Sequence, residues 1–223
     1  MLGAVAKAGT KLMTAFPCRY SPGFRELCRK VWAGDLGEIR AICATNRGRC
    51  PFGWFVEVEK SGGGAMIDHT VHVADLLRVL LRAEPVSVMA QTGNNMYGKG
   101  WEDIAMLSIG FAGGVFATLD SSWSRHASYK TWGDVTMHVV GERAVLELDM
   151  FGQEVHVYKS GEVTHTVAGF GSNIDAGLVA DFVRCIREDS PEPISGRDGL
   201  QAARVAMAGY ESVRTGQPVA VAS

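Results

Sequence analysis

The run Gly62-Gly63-Gly64-Ala65-Met66-Ile67-Asp68-His69-Thr70-Val71-His72-Val73-Ala74-Asp75 brings two carboxylates and two imidazoles into one short segment. At about 100° per residue, Asp68, His72 and Asp75 fall within roughly 60° of one another on one helix face, while Met66, Val73, Leu77 and Leu80 occupy another. An imidazole is the one side chain whose ordinary pKa lies near neutrality, and a carboxylate one turn away can fix its tautomer and stabilise its cation. Asp68 and His72 are therefore a candidate acid/base pair, although the spacing alone also fits a solvated helix face. A metal site would draw on His69 and His72 with Asp68. Residues three apart present their rings poorly to one ion, and no third, distant ligand accompanies them, so no metal is expected. His69 lies about 100° round the helix from Asp68, off the chemical stripe, and is expected to matter little.

The glycine run is not a phosphate loop, since neither G-K-[ST] nor the third small residue of G-x-G-x-x-G follows it. Close backbone approach at a helix start is its expected role. Gly169-Phe170-Gly171 also fails as a dinucleotide fingerprint, because Ile174 stands where the third glycine belongs. Trp54, Trp101, Trp123 and Trp132 sit near loops or strand ends, where they either stack on a sugar ring or join the core.

The elements that must hold these groups follow from patterning. A helix is expected over 2–9, a strand over Lys11–Phe16, and a helix from Pro22 to Ala33 with proline at its first position and Gly34 beyond its end. Glu38–Thr45 reads as a strand and Asn46–Ser61 as a loop holding Arg47, Arg49, Trp54 and Phe55, long enough to suggest function. Ala65–Leu81 is the clearest helix. Short strands follow over Val86–Thr92, Ile104–Phe111, Val115–Ser124, Val135–Val140, Ala144–Leu148 and Val155–Tyr158, with tight turns at Ala112-Gly113-Gly114 and Gly141-Glu142 that make neighbours antiparallel. Helices at about Asp175–Glu188 and Gly196–Arg214 close the chain. The expectation is an α+β fold with an open, mostly antiparallel sheet covered by helices on one face.

Alternation assigns the faces of that sheet: Val115, Ala117 and Leu119 against Phe116, Thr118 and Asp120, and Val135, Met137 and Val139 against Thr136, His138 and Val140. The second set in each strand is mixed rather than fully polar, as in a non-obligate interface, so a homodimer or homotetramer through the sheet is expected. The 223 residues carry 22 Lys and Arg against 24 Asp and Glu, for a net charge of -2, which argues against nucleic acid and acidic membranes as partners. Hydrophobic residues at 47% and charged residues at 21% indicate a folded domain. The five cysteines lack any C-x-x-C and read as reduced thiols. With no run of about 18 apolar residues, a cytoplasmic location is expected.

The run from Ser61 to Asp68 with His72 and Asp75 resembles the G-G-G-x-x-x-D-x-x-x-H-x-x-D helix of the Gfo/Idh/MocA oxidoreductases, the family of glucose-fructose oxidoreductase and inositol dehydrogenase. Ala15-Phe16 with Arg19 and Pro22, Gly34-Asp35-Leu36-Gly37-Glu38-Ile39, and the tail through Phe182, Pro193, Ser195, Asp198 to Leu200, Glu211-Ser212 and Gly216 extend the likeness over essentially the whole chain. The resemblance implies a dihydrodipicolinate-reductase-like C-terminal domain over 17–223 that binds substrate and oligomerises. Residues 1–16 then stand as the last helix and strand of a Rossmann domain. It implies NAD or NADP in the complete enzyme, none bound by this chain alone, and a separate Rossmann partner as one possible source. His72 would handle the proton of a sugar or polyol hydroxyl during hydride transfer, with Asp68 orienting it, and Arg19, Arg47, Trp54 and Asp75 are the candidates for holding the substrate. The family's catalytic lysine belongs to an E-K-P motif, and Glu59-Lys60-Ser61 is not that motif, so Lys60 inherits no role. The rival expectation is a non-catalytic interaction module with the same fold.

Overall fold

A computed structural model describes residues 1–157, 159–160, 163, 166–169 and 171–222. Helix α1 (Leu2–Ala8) leads through a 3-10 turn at Pro17–Tyr20 to α2 (Pro22–Trp32) and strand β1 (Ile39–Gly48). A second 3-10 turn (Gly53–Val56) and the short α3 (Val58–Ser61) precede α4 (Ala65–Leu81). The sheet continues with β2 (Pro85–Gly93), β3 (Ile104–Phe111), β4 (Phe116–Ser122), β5 (Gly133–Gly141) and β6 (Val145–Asp149). The pair β7 (Glu154–Val157) and β8 (Thr166–Gly169) forms a separate two-stranded ribbon, and α5 (Ile174–Arg187), α6 (Gly196–Thr215) and β9 (Val219–Ala220) end the chain. The main sheet runs β6-β5-β1-β4-β3-β2-β9. Only the central β1–β4 pair is parallel among these neighbours.

Period-two alternation sorts this sheet into a covered and an open face. Ala117, Leu119, Val135, Met137 and Val139 are buried beneath the helices, whereas Phe116, Thr118 and His138 are exposed on the other side. Helix α4 packs against both the sheet and α6, so it buries more than one stripe: Met66, Val73, Leu76, Leu77 and Leu80 are all essentially inaccessible. Each such side chain contributes about 1.5–3 kcal/mol relative to exposure. Side chains cap the starts of α2 and α6. Ser21 accepts from the Phe24 amide at the start of α2, where Pro22 needs no donor partner, and Ser195 and Asp198 form a reciprocal capping box on α6.

Several expectations are corrected. Lys11–Phe16 is not a strand but an extended segment with a single bridge, Met13 to Ser195, because no neighbouring strand lies alongside to complete a ladder. Strand β1 continues to Gly48, which places Arg47 on the sheet rather than in a loop, paired with Asp134 of β5. The supposed loop after it folds into a 3-10 turn and α3. Tyr158, the last residue expected in its strand, lies outside the described residues. Strands β8 and β9, at 4 and 2 residues, were too short for periodicity to reveal.

One buried charge ties these layers together. Asp75 of α4 has no solvent exposure and accepts from Arg19 Nε at 2.7 Å and Arg19 Nη2 at 2.5 Å. Arg19 Nη2 and Arg78 Nη1 each lie 3.2 Å from Asp198 at the start of α6, and Arg78 also holds Glu84 at 2.6 Å. Burial pushes the Asp75 carboxyl up, and Arg19 opposes it. Removing one partner of such a pair leaves the other charge uncompensated. Asp75→Ala is therefore expected to cost about 3 kcal/mol or more of stability, read as a lower urea midpoint, and an unchanged midpoint would contradict this role.

Candidate active site

The site begins where α4 begins. The Glu102 carboxylate accepts from the amides of Gly64 at 2.6 Å and Met66 at 3.3 Å, and the Glu102 carbonyl accepts from the Ala65 amide at 3.0 Å. Tyr210 of α6 donates its hydroxyl to the same carboxylate at 2.6 Å. A Cβ added to Gly64 would overlap the Glu102 carbonyl oxygen, and one added to Gly63 would overlap the Tyr210 hydroxyl. The glycines serve close approach of protein, as expected from their failure to match a phosphate loop. An anion already neutralises this helix N-terminus, so a dinucleotide phosphate would meet the Glu102 charge there, and these residues do not fit that group.

One turn further, Asp68, His69 and His72 line a cavity of about 180 Å³ together with Asn46, Trp132, Asp134 and apolar walls from Val135, Phe151 and Ile174. The Asp68 carboxylate accepts from Trp123 Nε1 at 2.9 Å and lies 3.3 Å from His69 Nε2. His69 Nδ1 meets the Asn46 carbonyl at 2.8 Å, while Asn46 Nδ2 donates to the His69 carbonyl at 3.0 Å, so β1 grips the helix at this residue. The His72 ring stands edge-on to Phe16 with centroids 5.6 Å apart. Its Nδ1 is buried without a hydrogen-bond partner, which leaves Nε2 for any chemistry at this ring. Burial pulls His72 below the ordinary histidine value, with His69 adding and Asp68 opposing, so the ring is neutral at pH 7 and able to accept a proton.

The expected site residues divide. Asp68 and His72 share the cavity, and no hydrogen bond joins them among the described residues; the contacts of Asp68 are to Trp123 and His69. His69, expected off the stripe, faces the same cavity and meets Asp68 directly. Arg19 and Asp75 belong to the buried ion cluster and do not line this cavity. Arg47 does not line it either; its guanidinium pairs with Asp134 at 3.1 Å, and Asp134 also takes Arg125. Trp54 stacks on Phe55 with centroids 4.1 Å apart, away from the histidines. Of the four tryptophans considered, Trp132 lines the cavity, its ring 5.8 Å from that of His69. Trp123 is completely buried and Trp101 packs on it. Sequence reasoning missed Asn46 and Asp134, which reach the site only through the β1–β5 pairing.

The GFO/IDH/MocA C-terminal domain model matches residues 24–147. The chain belongs to the Gfo/Idh/MocA oxidoreductase family. It is 26% identical over 231 residues to "Uncharacterized oxidoreductase YrbE" of Bacillus subtilis, covering 99% of this chain and 66% of that one. It is 25% identical to inositol 2-dehydrogenase of Rhizobium meliloti, covering 99% of this chain and 68% of the relative. The fold matches GenD2 from gentamicin A biosynthesis, solved in complex with NAD, at a TM-score of 0.87 and 21% identity over 99% of this chain and 66% of that one. The chain thus spans about two thirds of the length of the curated relatives it matches.

Within this family member the glycine run is a packing device, and it can be tested as one. Gly64→Ala is expected to lose about 1–3 kcal/mol through overpacking against the Glu102 backbone, whereas Gly3→Ala, with open space around it, should not. Equal thermal stability of the two variants would refute the close-approach role.

Proposed function

We propose that this chain is the substrate-binding half of an NAD(P)-dependent oxidoreductase acting on a hydroxyl of a sugar, polyol or related compound, with His72 as its acid/base. The observation that carries this reading is the neutral His72 ring lining the same cavity as Asp68, with its Nδ1 buried and unpartnered, in a member of a family of sugar and inositol oxidoreductases. Oxidation of a carbinol releases one proton with each hydride equivalent, and His72 Nε2 is the group placed to take that proton. Trp132 and the apolar wall supply a surface for the carbon face of a ring, and Asp134 supplies an acceptor for hydroxyls. Residues 17–223 form the substrate and oligomerisation domain on this reading, and residues 1–16 the end of a dinucleotide-binding domain. The cofactor is held by residues outside this chain's own site, as the Glu102-capped helix start and the missing glycine fingerprint support.

The open face of the sheet is proposed as a homo-oligomer contact. Phe116 and Met106 are each about half exposed there, beside Thr118 and His138. Light scattering at micromolar concentration should give a multiple of 24.0 kDa, with Thr118→Glu and His138→Glu together restoring the monomer. A mass of one chain in the unsubstituted protein would remove the interface.

Catalysis is tested in a form of the protein joined to a dinucleotide-binding half. There His72→Ala should lower kcat about 10²-fold or more, and Asp68→Asn somewhat less. The 223 residues alone should bind NADH no tighter than millimolar by calorimetry. Undiminished turnover in His72→Ala would overturn the assignment of His72, and micromolar NADH binding by the chain alone would overturn the division of labour. A joined form that binds polyol without turnover would support the interaction module instead.

A further inference from the structure

His69 and His72 each bring a buried, unpartnered ring nitrogen to the cavity, and of the two it is His69 whose nitrogen lies against a carboxylate. Its Nδ1 lies 2.8 Å from the Asn46 carbonyl, which can only accept, so Nδ1 carries a hydrogen. Its Nε2 is buried, has no hydrogen-bond partner, and lies 3.3 Å from Asp68 Oδ2. With Nε2 bare and Asp68 ionised, two lone pairs would face each other in a closed space, and an unmade buried contact of that kind is costly. A hydrogen between the two atoms removes the conflict.

We propose that Asp68 and His69 hold one proton between Oδ2 and Nε2 at neutral pH, which makes His69 a positioning residue for the Asp68 carboxylate. Several groups face the ring. From α4 come Asp68 and His72; from β1 the Asn46 carbonyl; from β4 the Ser122 carbonyl; and from β5 Asp134, which is itself neutralised by Arg47 and Arg125. Burial is the largest influence on the imidazole and holds His69 below the ordinary histidine value, while the Asp68 and Asp134 charges and the Asn46 and Ser122 carbonyls oppose it. Trp123 Nε1 donates to the same Oδ2 at 2.9 Å and supplies its second contact.

This division gives the two histidines opposite duties. The Asp68–His69 unit, neutral overall with its proton, does not make His72 more basic, and His72 stays free to accept the substrate proton. That consequence rests on the oxidoreductase reading of the cavity, whereas the shared proton does not and can be read without turnover.

Side-chain ¹⁵N and ¹³C NMR of the 223-residue protein at pH 7 tests it, with His69→Gln identifying the ring signals. The expected result is a protonated His69 Nε2 or a protonated Asp68 carboxyl, with both resonances moving together through one shared midpoint as pH rises. In Asp68→Asn the amide donates to Nε2 instead, so the shared midpoint should vanish while His69 keeps its neutral form with hydrogen on Nδ1. A bare Nε2 beside an ionised Asp68 in the unsubstituted protein overturns the proposal. So does a His69 titration unchanged in Asp68→Asn. The unsubstituted spectrum decides the matter even where a variant fails to fold.

Discussion

The first turn of α4 must be approached by protein from two directions at once, and side chains on its leading residues would forbid this. Gly63 and Gly64 leave the space in which the Glu102 backbone and the Tyr210 hydroxyl sit. The Glu102 carboxylate then satisfies amides that have no partner within the helix and places a negative charge against the positive end of its dipole. Tyr210 brings α6 to the same carboxylate. Burial and that carboxylate both push the Tyr210 hydroxyl far up, so it remains a donor at any working pH. The position of Asp68 and His72 follows from this junction, because both are carried on the turns immediately after it.

Along the same helix, two carboxylates seven residues apart meet opposite environments. Asp75 lies where Arg19, Arg78 and Asp198 converge, and its charge is spent in binding the Pro17–Tyr20 turn and α6 to the helix. Asp68 meets one neutral donor, Trp123, and one imidazole, and it borders a cavity rather than a cation. A carboxylate held by a guanidinium fork is engaged by fixed donors, whereas one beside an imidazole can share a proton. The structural end and the chemical end of α4 are separated by partner type, not by residue type.

The sheet shows the same economy. Its covered face packs α4 and α6 with small and branched residues such as Ala117, Leu119 and Val139, and its far end delivers Asn46, Trp132 and Asp134 to the cavity rim. Arg47 and Arg125 both pair with Asp134 at that rim and, despite its burial, hold it below the usual carboxylate range. The wall beside His69 therefore carries a fixed negative group whose charge is already balanced.

Local chemistry alone settled the α4 boundaries, the proline start of α2, the alternation of β4 and β5, and the presence of Asp68 and His72 on one helix face. Each of these depends on neighbours within a few residues in sequence, where backbone geometry allows few alternatives. The motif from Gly62 to Asp75 was likewise enough to indicate the family. Contacts distant in sequence were decided only by tertiary structure. A 100° step around a helix placed His69 off the stripe, yet β1 lies over that side and closes the cavity around it. The same reasoning grouped Asp75 with Asp68, but Arg19 comes in from 56 residues away to claim it. A helical wheel states where a side chain leaves the backbone; which packed element it then meets, and hence whether it holds the fold or moves a proton, depends on the fold's layers.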